Sequence, residues 1–253
     1  MGTAIPLLSS LAVDEIGPGC EPIAKGFLRE PVSAYSSLAF VVAGLLILVL
    51  ERRRRRRTED AQGRPGVETS SVAYTCLVAG IGLGSVAQHG PNLYWADLAH
   101  DLPLLGTLVL IISDGAADLT GRARAWWWWA LPTAALAPLI HWFPQPGDMT
   151  QGAVAVVAVL LSLVRAYRRP RLRPPIVWTV VLLATGGVLE ILSSPGWPLC
   201  RPDSLWYGHA AWHAFVAAGL TALAGALSAT ARAGRRSGPD QRSGRDQDAR
   251  SLS

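Results

Sequence analysis

Apolar residues gather into seven long runs along the chain, near Val32–Leu50, Ser70–Gly90, Ala96–Leu119, Ala125–Trp142, Gln151–Val164, Ile176–Ser193 and Leu205–Ala229. Each approaches or reaches the length of about 20 residues that a helix needs to cross a bilayer. The fifth is the shortest and extends into Arg165-Ala-Tyr. Most of the links between runs are short. The pattern therefore predicts an all-α polytopic membrane protein, a single bundle of seven transmembrane helices over residues 32–229. Residues 1–31 would form an extracytoplasmic segment. Residues 230–253, almost devoid of apolar side chains from Gly234 onward, would form a disordered cytoplasmic tail. Met1–Val13 lacks a basic start and a small-residue cleavage site, so no cleavable signal peptide is read there.

Charge supplies the orientation. Half of the 253 residues are hydrophobic and only 16% are charged. The cations cluster at Arg52–Arg57 and Arg64, at Arg122 and Arg124, from Arg165 to Arg173, and in the tail. If the chain crosses seven times, 20 of the 23 Lys and Arg fall on one side, and only Lys25, Arg29 and Arg201 on the other. The positive-inside rule then puts the N-terminus outside and the C-terminus in the cytoplasm. This corresponds to a multi-pass protein of an inner or plasma membrane of the bacterial type. The same clustering accounts for a pI of 9.6 without nucleic acid, for which no base-reading surface is evident. The arginine runs read as topology determinants, aided by anionic lipid headgroups. Glu51–Gly66 reads as a solvated loop, and Trp126–Trp129 as an interfacial aromatic belt at the start of the fourth helix. Nothing in the chain sets an oligomeric state.

Polar side chains stand out against this background, because within a bilayer they are costly and usually functional. His209 and His213 occur in Tyr207-Gly-His-Ala-Ala-Trp-His213, four apart and so on one helix face. His89 closes the second run, with Ser85 one turn before it. The topology brings His89, Ser85, Asp97, His100, Asp101, Glu190, His209 and His213 to one depth band in the outer half. Three imidazoles converging from two helices would make a zinc site with one coordination position left open. Helix-bridging hydrogen bonds are the plainer alternative. Haem fits poorly, since its axial ligands come from opposite faces. Glu190 reads either as a partner of a ligating histidine or as a snorkelling residue, and His141 as a hydrogen-bonded structural one. Cys20 and Cys200 fall on the outer, oxidising side, where a bridge would tie the N-terminal segment over the seventh helix. Cys76 reads as a packing residue.

Gly84-Ser-Val-Ala-Gln-His89, Asp101-Leu-Pro103 and Gly208-His-Ala-Ala-Trp-His213, with Cys20-Glu21, Glu30 and Trp197-Pro-Leu-Cys200, together resemble the alkaline ceramidase family. That family belongs to a superfamily of seven-helix membrane hydrolases that also takes in the progestin and adipoQ receptors. The likeness spans roughly residues 19 to 220. It implies that His89, His209 and His213 bind Zn2+, that Asp101 is the acid/base with Asp97 as second choice, that Ser85 stabilises the oxyanion, and that Cys20 pairs with Cys200. Two departures stand out. The family's Asp is followed by another acid, whereas His100-Asp101 occupies that place here, one position out of register with the proline. Glu21 and Glu30 match an N-terminal Ca2+ site, but Pro18, Gly19 and Ile23 replace the expected Asp, Trp and Asn, so calcium is not carried over intact.

A carboxylate beside such a metal could move a proton from water to a leaving amine. A serine hydroxyl could donate to the developing oxyanion. The apolar walls favour a lipid entering laterally, and the implied reaction is hydrolysis of a fatty-acyl amide, or of an ester by the same apparatus. A seven-helix receptor or sensor retaining the zinc site is the second expectation. A metal transporter is a third, set aside because the cytoplasmic halves of the helices show almost no polar residues.

Overall fold

The computed structural model describes residues 16–62 and 69–236. Seven α-helices follow one another: α1 Pro31–Gln62, α2 Thr69–His89, α3 Ala96–Thr120, α4 Trp127–Trp142, α5 Pro144–Arg168, α6 Arg173–Ser193 and α7 Gly208–Arg236. A three-residue 3-10 turn, Pro170–Leu172, joins α5 to α6. Among the described residues the only β pairing is a single bridge between Ile16 and Pro22. All the helices except α4 are long and apolar enough to cross a membrane. At 16 residues, α4 spans about 24 Å, short of the roughly 30 Å of hydrocarbon in a bilayer.

Three boundaries differ from those the sequence suggests. Glu51–Gly66, expected as a loop, begins as helix, because α1 runs on through Arg52–Arg57 to Gln62. Arginine and glutamate are good helix formers, Arg54 pairs with Glu51 one turn away at 3.2 Å, and the breakers Gly63, Pro65 and Gly66 come only afterwards. α5 starts at Pro144, where a proline in the first turn costs no hydrogen bond. α7 continues past Ala229 to Arg236. The remainder of the expected tail, 237–253, lies outside the described residues, as do Met1–Val13.

α1, α2, α3 and α7 enclose the main core, in which Phe40, Ile47, Tyr74, Val78, Ile81, Leu110, Val216, Leu220 and Leu223 are buried together. The outward faces are just as apolar. Leu45, Val156, Leu160, Val188 and Ile191 each expose more than half of their surface, an arrangement that needs a hydrocarbon solvent rather than water. Cys76 lies on this outward surface as a free thiol, so it does not fill the core as expected.

The halves of the helices nearer the arginine runs carry more polarity than the sequence suggests. Asp114 of α3 is buried and ion-paired with Arg124 and, at 2.9 Å, with Arg165 of α5. Arg165 also reaches Asp118 at 3.2 Å. Arg165 is completely buried, so it acts as an internal clamp between α3 and α5 and not as a cation facing solvent. Removing one partner of a buried pair strands the other charge, at a cost of about 3–5 kcal/mol. Arg165→Met is therefore expected to lower stability by about 3 kcal/mol, since Arg124 and Arg169 still face the two carboxylates. Exposed Arg122→Met should change it by less than about 0.5 kcal/mol. Thermal unfolding in detergent distinguishes the two, and equal effects would sink the clamp.

Candidate metal centre

The last turn of α2 and the first two turns of α7 meet at the end of the bundle opposite the arginine runs. His89, His209 and His213 each present a ring nitrogen, and these nitrogens all lie within 4.8 Å of one another. Ring centroids are 4.7 Å apart for His89 and His209, 5.4 Å for His89 and His213, and 4.5 Å for His209 and His213. His89 and His213 are buried and His209 partly so. The Nε2 atoms of His89 and His209 face each other at 3.0 Å.

The opposite nitrogen of each ring is already engaged. His89 Nδ1 donates to Glu30 Oε2 at 2.6 Å, and His209 Nδ1 donates to Glu190 Oε1 at 2.9 Å. His213 Nδ1 lies 2.8 Å from Ser36 Oγ. When the Ser36 hydroxyl gives its hydrogen to the Ser33 carbonyl, 2.9 Å away, His213 Nδ1 is the donor of that pair. All three imidazoles thus hold their proton on Nδ1 and turn an Nε2 lone pair inward. Lone pairs aimed at one point from this distance could hold a shared metal ion. Neutral imidazoles without a thiolate suit zinc and other late first-row divalent ions.

The sequence around α1 builds this arrangement. Ser33, Ser36 and Ser37 sit at i, i+3 and i+4 and so form a polar stripe on an apolar helix. Glu21, only 2% exposed, accepts hydrogen bonds from Val32 N–H, Ser33 N–H and the Ser33 hydroxyl, and thereby caps the helix start. The Ser33 carbonyl in turn accepts from the hydroxyls of Ser36 and Ser37. Since the hydrogen of Ser37 is used there, completely buried Ser85 donates its own to Ser37 Oγ at 2.7 Å. Ser85 therefore connects to the histidines through Ser37, which lies 3.4 Å from His213 Nδ1.

Residues 16–30 form a strap over the centre. Cys20 and Cys200 are disulfide-bonded with Cα atoms 5.5 Å apart, and Glu30 N–H donates to the His89 carbonyl at 2.8 Å. A Cβ added at Gly19 would overlap that of His209, and one at Gly17 would overlap the Glu30 carboxylate. A side chain at Gly19 would push the strap off His209, and one at Gly17 would displace the Glu30 carboxylate that holds His89. Both acids that the resemblance aligned with a calcium site are engaged otherwise, Glu21 by the α1 cap and Glu30 by His89. Just beyond the strap's anchor, burial and the Glu21 and Asp203 carboxylates raise the Tyr207 phenol above its ordinary range. It stays protonated and donates to the Pro202 carbonyl.

Asp101 is not in the ligand group. Its Oδ1 accepts from His100 Nδ1 at 2.8 Å, and Asp97 accepts from Gln88 Nε2 at 2.9 Å. His141 is exposed at the end of α4, away from the cluster. Ser36, Ser37 and the roles of Glu21 and Glu30 were not read from the sequence. The serine stripe was the visible signal for the first two. No family model matches the chain, and no curated protein matches it.

Carboxylates that hold ligating histidines are worth about 10–100-fold in metal affinity. Glu30→Gln and Glu190→Gln are each expected to weaken the binding of an added divalent metal ion by that factor in competition with a chromogenic chelator. Binding as tight as wild type in both variants would show that these contacts do not tune the site.

Proposed function

We propose that the chain is a zinc-dependent integral-membrane hydrolase that cleaves a lipid amide, as its resemblance to the alkaline ceramidases implies. Chief support comes from the ligand group itself. Three inward Nε2 atoms are each fixed by an Nδ1 partner, and among the described residues no fourth protein ligand joins them. A structural zinc site would close that fourth position with another side chain, whereas a catalytic one keeps it open. The reading places the N-terminus outside, lets α4 complete seven crossings, and sets the histidines in the outer half of the bilayer.

A zinc ion held there would supply a Lewis acid and a water acidified to near neutrality. The chain's own groups would do the remainder. The apolar outward faces of the helices admit an acyl chain from the bilayer. Ser85 swings its hydroxyl hydrogen from Ser37 Oγ to the carbonyl oxygen as negative charge develops on it. The paired His100 and Asp101 at the head of α3 carry the proton that leaves the attacking water to the departing amine.

Loss of one oxyanion donor costs about 10²–10³-fold in kcat, so Ser85→Ala is expected to fall in that range with its zinc retained. His209→Ala is expected to lose both zinc and turnover of N-acyl lipids presented in detergent micelles. Undiminished hydrolysis by His209→Ala, measured beside elemental analysis of both proteins, would sink the reading.

A further inference from the structure

Side chains at the head of α3 divide between two directions. Ala96 is completely buried. A Cβ on Gly84 would overlap the Ala99 carbonyl and crowd the His100 amide, and one on Gly80 would meet Pro103. Residues 96, 99, 100 and 103 recur at helical spacing and form the stripe of α3 that lies on α2. His100 belongs to this stripe, with its amide against Gly84, the residue before Ser85. Asp97 and Asp101 stand one residue further round the helix, where Asp97 accepts from Gln88 Nε2 of α2 at 2.9 Å. Asp101 nevertheless reaches back to hold His100 Nδ1 at 2.8 Å.

The geometry points to His100, and not a carboxylate, as the residue that moves the proton in this site, with Asp101 as the positioning residue that holds it. This deepens the hydrolase reading and rests on it. A carboxylate on Nδ1 keeps the ring proton there, so that Nε2 is a free base able to accept and return a proton, the division of labour seen in Ser-His-Asp hydrolases. The step balances. As the water oxygen bonds to the acyl carbon, one water proton passes to His100 Nε2. That proton is then delivered to the amide nitrogen as the C–N bond breaks, leaving a fatty acid, an amine and neutral His100. The ring is partly exposed and so can reach substrate, whereas Asp101 Oδ1 is already engaged by His100 Nδ1.

Two substrates test this in full-length protein: an N-lauroyl alkylamine, whose leaving nitrogen needs a proton, and an N-lauroyl aminocoumarin, whose nitrogen needs it far less. His100→Ala is expected to keep its zinc and to lose about 10²–10⁴-fold on the alkylamide. The loss should be much smaller on the aminocoumarin, with partial recovery in added imidazole. A readout independent of turnover comes from side-chain nuclear magnetic resonance of protein with isotope-labelled histidine. The ring missing from His100→Gln should carry its proton on Nδ1 in wild type and lose that preference in Asp101→Asn. Activity of His100→Ala within threefold of wild type would overturn the assignment, as would equal losses on both substrates without imidazole rescue, or a His100 proton on Nε2. Wild type that turns over neither substrate would overturn the hydrolase reading, and this role with it.

Discussion

Three imidazole lone pairs converging inside an apolar bundle are the constraint on which the rest of this structure depends. The Nε2 atoms of His89 and His209, 3.0 Å apart, repel one another when both rings keep their protons on Nδ1. A cation relieves the conflict, provided that each ring is prevented from turning its proton inward. The three Nδ1 partners do this, and they come from three different places: the strap, α1 and α6. Convergence of the ligands therefore fixes where the ends of four helices and one extended segment must lie. The fold at this end of the bundle is in effect the outer layer of a coordination site.

The strap shows how that requirement propagates. Its backbone follows the end of α2, where Arg29 and Glu30 donate to the carbonyls of Gly90 and His89. Cys20 adopts a left-handed backbone, φ 68°, a conformation unfavourable for a residue with a side chain. The tight turn from Gly17 to Glu21 and the bridge to Cys200 hold it there. The carboxylate at the end of that turn then caps α1, and the cap sets the Ser33 carbonyl that orients Ser36 and Ser37. One covalent bond in the loop before α7 is thus linked, through six named hydrogen bonds or fewer, to both His213 and Ser85.

The helices were legible in the sequence because a long apolar run has few alternatives in a bilayer, and the three histidines because a charged or polar group there is conspicuous. Helix ends were less legible, and for a physical reason. Arg52–Arg57 is polar enough to read as loop, yet arginine propagates a helix as well as leucine does, and solvent-facing turns leave no apolar period to detect. Glu30 and Glu21 were hidden for a different reason. A carboxylate next to the membrane looks like a surface acid until the chain folds back, and nothing in local spacing shows that Glu30 will meet His89, 59 residues away. Arg165 was masked by its company, since four neighbouring arginines do face solvent and only the carboxylates of α3 single it out.

Those carboxylates also bear on transport. The absence of polar residues in the arginine-side halves was the ground for setting a transporter aside, and Asp114, Asp118, Arg124 and Arg165 remove that ground as it stood. A better one replaces it. Asp114 lies about 20 Å along α3 from Asp101, and the buried side chains between the two layers are mostly apolar, among them Phe40, Val78, Ile81, Leu105 and Leu110, while the hydroxyls of Thr107 and Thr179 are spent on backbone carbonyls. A hydrated divalent ion crossing that zone would shed water with no ligand to replace it, at a cost far above that of a buried monovalent charge. Moreover, the buried carboxylates on the far side are already neutralised by guanidinium groups, so no acceptor waits there. Two polar layers separated by a largely apolar core set the histidine end apart from the arginine end, which is what the proposed chemistry on a lipid requires.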